Sequence, residues 1–156
     1  MRAGQHVLVY GASGAVGTAA VQLAVRLGTR VTAVCSARNA DLVTSLGASA
    51  VIDYTTERIG DRGDHYDVIL DAVGKHKSAA WLRGSTAVLA PGGVIVPVDD
   101  GTPRFDRDDL LAVSDAAASG ALSAVIDRVF PLDEIVDAHR YVDLGHKRGN
   151  VVVSVP

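Results

Sequence analysis

The stretch 6–28, HVLVYGASGAVGTAAVQLAVRLG, constrains the fold more than any other part of the chain. A strand-like run passes directly into three glycines spaced by three, Gly11, Gly14 and Gly17, and an unusually apolar helical segment follows at once. The only polar stripe on that segment is Thr18, Gln22 and Arg26, so a helix over 15–27 has to be covered on most sides. Gly28 then suits the position just past its C-terminus. A tight turn free of side chains between a strand and a buried helix is the opening of a βαβ unit.

The rest of the chain repeats that alternation. Strand patterns recur at 6–10, 30–35, 50–53, 66–72, 93–98, 124–130 and 150–155. Helical patterns lie between most of them. One covers 39–46 and ends at Gly47, and another covers 75–89, weakened by Gly84 and stopped by Pro91-Gly92-Gly93. A third, 106–119, carries acids in its first turn, and a fourth, 131–144, starts with Pro131 and ends before Gly145. Sixteen glycines against two Phe and one Trp leave an interior of Val, Ala, Ile and Leu. That composition suits a parallel sheet covered on both sides. The expected class is α/β: a Rossmann-like, doubly wound, mostly parallel sheet with helices on both faces, in a single domain over 1–156. The segment 99–107, DDGTPRFDR, reads as a surface connection.

A helix N-terminus offers unpaired N–H groups and the positive end of its dipole, and so attracts phosphate. Gly14 fits the position of closest approach, and Gly17 the place where helix packs on strand. Ser13 can add a hydroxyl. Glycine spacing alone describes a tight turn as readily as a binding site. The strand before it, the helix after it and the second strand beyond favour a dinucleotide. A nucleoside-triphosphate loop would end in Gly-Lys-Ser/Thr, whereas this turn ends Gly17-Thr18-Ala19. No lysine follows a tyrosine by four residues, which argues against the short-chain dehydrogenase arrangement.

Which dinucleotide depends on the end of the second strand, about 20 residues past the turn, where an acid would hold a ribose 2′-hydroxyl. Here the sequence reads Cys35-Ser36-Ala37-Arg38-Asn39, with no carboxylate. A hydroxyl and a guanidinium at Ser36 and Arg38 would accept a 2′-phosphate. The same residues could equally cap the next helix and face solvent. The pattern favours NADPH over NADH.

Other chemistry is sparse. Cys35 is the only cysteine, which excludes an internal disulfide and a multi-cysteine zinc site, and it reads as a small buried hydrophobe. The five histidines lack metal-ligand spacing, so no metal is expected. Asp106, Asp108 and Asp109 read as first-turn acids, and Trp81 as core or interface. Asp71, within an apolar strand, should accept backbone or hydroxyl hydrogen bonds. No catalytic residue can be assigned. A net charge of −3 without a basic run does not suggest nucleic acid or a membrane surface as partner. No apolar stretch reaches the ~18 residues of a membrane span, and no leader pattern precedes the first strand, so a cytoplasmic protein is expected.

Five ordered blocks, VLVYGASGAVGTAAVQLA, SLGASAVIDYT, YDVILDAVG, PGGVIVPV and DRVFPLDEIVDAHRYVDLGHKRGNVVVSV, resemble the zinc-independent quinone oxidoreductase branch of the medium-chain dehydrogenase/reductase superfamily. The resemblance implies NADPH-dependent reduction of quinones, enones or related carbonyl compounds. It matches Ser13, Gly14, Ala15, Val16 and Gly17 to the pyrophosphate loop and Ser36 and Arg38 to the 2′-phosphate region. Tyr54 matches a position beside the adenosine phosphate, and Val73, Gly74 and Val98 match the nicotinamide side. Members of that branch carry a large catalytic domain before the first strand, and usually a further helix and sixth sheet strand where 99–107 stands. Asp99-Asp100 also replaces a small, glycine-rich pair. The chain therefore reads as the cofactor half of an enzyme. Its tail, 106–156, resembles the segment that packs on the catalytic domain. The tail strands should pair with a second copy, giving a homodimer, or should replace the sixth strand. A separate catalytic domain is the other expected partner. A non-enzymatic NADPH-binding or sensing module, or a structural domain with a vestigial site, are the alternatives.

Overall fold

The computed structural model describes residues 1–78, 80–99, 101 and 106–156. Asp100, most of the expected 99–107 connection and residue 79 of the expected 75–89 helix lie outside the described residues. In chain order the elements are β1 (His6–Tyr10), α1 (Ala15–Arg26), β2 (Arg30–Cys35), α2 (Ala40–Ser45), β3 (Ala50–Asp53), β4 (Tyr66–Asp71) and α3 (Lys75–Ser78). They continue as β5 (Leu89–Pro97), α4 (Arg107–Ala118), β6 (Ile126–Pro131), α5 (Ile135–Asp143) and β7 (Asn150–Ser154).

Strands β1 to β5 form one parallel sheet in the order β3-β2-β1-β4-β5. Both faces are buried at β1 and β2, as their near-continuous apolar runs require. Val7 and Val9 of β1 point to the face covered by α1 and α2, where they meet Val21, Ala24, Val31, Ala33 and Val43. Leu8 points to the other face and packs with Val34, Ile52, Tyr66 and Ile69. This is the expected α/β class, with the order reversing between β1 and β4, where ligands of open sheets bind.

Two expectations are corrected. The helix expected over 75–89 is not continuous: residues 80–84 form turns, and Ser85–Val88 is a 3-10 turn. Gly84 takes a left-handed φ of +85°, which ends any helix passing through it. Pro91-Gly92-Gly93 lie inside β5 and not before it. Tyr66 faces Leu89 while Val68 already faces Val94, so these residues bulge out of register.

The tail does not supply a sixth strand. β6 and β7, joined by α5, pair with each other in a separate two-stranded parallel sheet. The unit closes locally. Tyr141 on α5 donates to Asp127 at 2.6 Å, and the Arg128 guanidinium lies 4.4 Å from the Tyr141 ring centroid. β5 is therefore an edge strand of the larger sheet, with Val94 and Val96 half exposed. Among the described residues, hydrogen bonds join the tail to the main sheet layer at two places. Ser123 N donates to Gln22 Oε1 at 2.8 Å, and Gly149 N donates to Ser13 O at 2.8 Å. Asp106 caps α4 by accepting from Asp109 N at 2.8 Å, as first-turn acids should.

Candidate functional site

The chain leaves β1 through Gly11, whose φ of +76° needs a residue without a β-carbon. The amides of Gly11 and Ala12 both donate to Val34 O, at 3.1 and 3.0 Å, which holds the turn against β2. At Gly17, α1 crosses this turn in close contact. A β-carbon there would collide with the Gly11 carbonyl and stand 2.7 Å from Ala12 Cα. Gly14 takes the cap position of α1 in extended conformation (φ −82°, ψ 179°). No side chain caps the helix, and its first turn holds no acid. The positive end of the helix dipole therefore opens outward beside bare backbone.

That opening faces a cavity of about 480 Å³. Ser13, Gly14, Ala15 and Val16 line it together with Tyr54 and Val73. Among the sequence-derived candidates, these six are brought together. Gly17 lies behind them as a packing residue. Ser36 and Arg38 stand apart at the end of β2, where Arg38 is exposed. Ser36 is coupled to the turn through Asn39, whose Nδ2 donates to Ser13 Oγ at 3.1 Å and to Ser36 Oγ at 3.4 Å. Asn39 Oδ1 is buried and has no hydrogen-bond partner among the described residues. Asp53, on neighbouring β3, gives its carboxylate to Thr55 N and Oγ1 at 3.0 and 2.7 Å, and those bonds hold it below the usual carboxylate range.

Asp71 organises the turn after β4. It is fully buried and accepts from Val73 N at 3.0 Å, Gly74 N at 3.1 Å and the Ser78 hydroxyl. This is the role expected of a carboxylate inside an apolar strand. Val98 N donates to Asp71 O at 2.8 Å, so the ends of β4 and β5 are fixed to each other. Val73 and Val98 remain substantially exposed, and a β-carbon on Gly74 would stand 3.2 Å from Asp99 Oδ2. Val98 follows the end of β5 and lies outside the cavity lined by Ser13 and Val73.

Cys35 lines the floor of the cavity. Burial, helped by Asp53, pushes its thiol up to about 11, so it stays protonated and serves as a hydrophobe. On the far side of Tyr10 and Tyr54 lies a second hollow of about 790 Å³. Trp81 forms its wall and stacks on Tyr10, with ring centroids 4.6 Å apart and planes 17° from parallel. The 480 Å³ cavity is also lined by two charged residues that sequence reasoning did not single out, Lys77 and Lys147. Asn39 had a local signal, a small polar residue three positions after Ser36. Lys147 had none, because only the long-range fold carries it there.

The profile of the family described as zinc-binding dehydrogenase matches residues 15–128. An NADPH-dependent alkenal/one oxidoreductase of Arabidopsis thaliana, chloroplastic, is 35% identical over 97% of this chain and 41% of its own length. A 2-methylene-furan-3-one reductase of Solanum lycopersicum is 33% identical over 96% of this chain and 40% of its own. The structure of a quinone oxidoreductase from Coxiella burnetii superposes with a TM-score of 0.86 at 28% identity, covering 99% of this chain and 54% of that one. The chain thus spans about two fifths of the length of these curated relatives. Among the described residues no three His, Cys, Asp or Glu side chains gather as metal ligands, and no helix is long and apolar enough to cross a membrane. The quinone oxidoreductase-like resemblance in the sequence is shown by these matches, and the chain belongs to the zinc-binding dehydrogenase family.

Proposed function

We propose that the chain binds NADPH along the carboxyl ends of β1, β2 and β4, as the cofactor-binding part of an oxidoreductase that reduces quinones, enones or related carbonyl compounds. One observation carries the reading: the uncapped N-terminus of α1 opens on a cavity with two lysines and no carboxylate among its described lining residues. The names of the relatives, NADPH-dependent alkenal/one oxidoreductase and quinone oxidoreductase, support the same chemistry.

The residues fit the group. Gly14 lines the cavity with bare backbone, which would let a pyrophosphate approach the turn, and a β-carbon there would also crowd Gly11 O at 3.3 Å. The amides of Ser13, Ala15 and Val16 and the Ser13 hydroxyl would hold that pyrophosphate beside Gly14, whose own amide donates to Gly11 O at 3.0 Å, and Gly17 would keep α1 close enough. Ser36 and Arg38 would receive the 2′-phosphate, with Asn39 Nδ2 fixing Ser36 beside Ser13. Tyr54 would flank the adenosine, and Val73, Gly74 and Val98 would face the nicotinamide. Bound NADPH supplies the hydride. The chain's own part is to orient it and to form one wall against water.

Titration calorimetry with NADPH and NADH tests the reading. NADPH should bind more tightly, and Ser36→Asp should erase the difference through an unpaired like charge costing about 1–3 kcal/mol. Equal or reversed affinities in the unaltered chain would overturn the assignment of Ser36 and Arg38.

The Asp99 carboxylate beside Gly74 favours a second reading, a non-enzymatic NADPH-binding or sensing module, because a fixed acid is a poor neighbour for a carbonyl substrate. Binding without turnover, even beside a catalytic domain, would select it.

A further inference from the structure

Resting on the cofactor reading above, we infer that Asn39 is a positioning residue for specificity. Its side-chain amide turns the Ser13 and Ser36 hydroxyls into a coupled pair of donors, so that preference for the 2′-phosphate depends on the glycine turn. Asparagine and serine at these two places are ordinary helix-capping residues. Neither caps. Asn39 stands at the start of α2 and Ser36 at the start of the 3-10 turn before it, and no side-chain capping bond is made at either position. Asn39 instead reaches back 26 positions in sequence, donating from Nδ2 to Ser13 Oγ at 3.1 Å as well as to Ser36 Oγ at 3.4 Å.

A hydroxyl has one proton to give. Accepting from Asn39 leaves that proton free for another partner, and among the described residues neither serine hydroxyl donates to a protein group. A phosphate oxygen only accepts, and hydrogen bonds to an ionised acceptor are the strong ones. The reversed amide would present Oδ1 to both serines and draw both protons away from the ligand. The amide is firmly held: Asn39 is 4% exposed, and its backbone N–H donates to Ser36 O at 2.9 Å. Its Oδ1 is buried without a partner among the described residues. A buried amide kept for stability alone is normally paired at both ends, because an unpaired carbonyl is costly. That cost at Asn39 marks a side chain kept for what Nδ2 does to the two serines. Ser13 lines the cavity at the turn and Ser36 follows the end of β2, so one planar group spans the two phosphate positions.

The test uses the full chain and its Asn39→Leu variant, with Ser13→Ala, Ser36→Ala and their combination built in both backgrounds. Each protein is titrated with NADPH and NADH, and its urea midpoint is measured. Asn39→Leu keeps the approximate shape and removes the amide. It should weaken NADPH roughly tenfold and NADH roughly threefold, because NADH has no 2′-phosphate to meet Ser36. For NADPH the two serine losses should be non-additive by about threefold while Asn39 is present, and additive in Asn39→Leu. For NADH they should be additive in both backgrounds. If Asn39→Leu leaves both affinities unchanged while Ser36→Asp still erases the preference, the Asn39 assignment falls and the cofactor reading stands. Equal losses of both cofactors with a lowered urea midpoint would make Asn39 a structural residue only and overturn the inference. Additive serine losses for NADPH in the unaltered chain would overturn it too, and that cycle decides should Asn39→Leu fail to fold. If the unaltered chain binds neither cofactor, both readings fall together.

Discussion

His6 opens β1 at the end of the sheet away from the glycine turn and is 7% exposed. Its Nδ1 lies 2.7 Å from Arg30 Nη2, its Nε2 lies 2.8 Å from Thr32 Oγ1, and its ring centroid is 4.5 Å from that of Tyr66. Arginine can only donate, so Nδ1 accepts and the neutral ring carries its proton on Nε2, which donates to Thr32. A second proton, on Nδ1, would find His65 O at 3.0 Å but would face the Arg30 guanidinium at 2.7 Å. Burial first, and Arg30 next, hold the pKa of His6 below the ordinary 6.5, against the pull of His65 O, Asp64 and Asp67. The folded chain therefore binds fewer protons at this site than the unfolded chain. The stability tied to the neutral ring is complete above the unfolded value and is lost as pH falls through 6.5 toward the folded one. The urea midpoint should drop between about pH 7.5 and about pH 5.5, where carboxylates hardly titrate, and His6→Gln should flatten that slope. A midpoint in the unaltered chain that is level across this window would contradict the assignment.

β1, its glycine turn and α1 behave as one element, because the contact at Gly17 is backbone against backbone. A methyl group there meets the Gly11 carbonyl and Ala12 Cα, neither of which can swing aside as a long side chain would. Gly17→Ala should cost about 2–4 kcal/mol in urea denaturation and weaken NADPH together with stability. A variant as stable as the parent would show that the helix can retreat from the strand. The same element explains what the sequence revealed and what it withheld. The turn, the first two strands, the buried Asp71 and the inert Cys35 were legible because each depends on neighbours within a few residues or on burial alone. The break in the 75–89 helix was half legible, since Gly84 marked it but helical periodicity ran on either side. The pairing of β6 with β7 was hidden, because an unpaired strand pattern does not state which edge it will join. Lys147 was hidden more deeply. Ser13 and Gly149 meet across most of the length of the chain, and nothing in residues 140–150 distinguishes a site lysine from the basic end of a helix.

On the scale of the whole molecule, binding and turnover should separate. The parts proposed to hold NADPH are rigidly tied: the turn to β2 through Val34, Ser13 to Ser36 through Asn39, and the tail to Ser13 through Gly149. The parts proposed to face the nicotinamide are open. Val73 is 38% exposed and Val98 43%, with the Asp99 carboxylate next to Gly74. Orientation and water exclusion supply several kcal/mol of barrier reduction, about tenfold in rate for each 1.4 kcal/mol, and both need a second wall across from these valines. The 156 residues should therefore take up NADPH yet oxidise it slowly with a quinone or an enone in a stopped-flow experiment, well under the roughly 10 per second of an ordinary enzyme. Adding a substrate-side domain from a related reductase should raise the rate without tightening the cofactor, because the new wall acts on the transition state and not on the pyrophosphate or the 2′-phosphate. Ordinary turnover by the 156 residues alone would mean that Val73, Val98 and Asp99 already form a working pocket, and the need for a second wall would have to be abandoned.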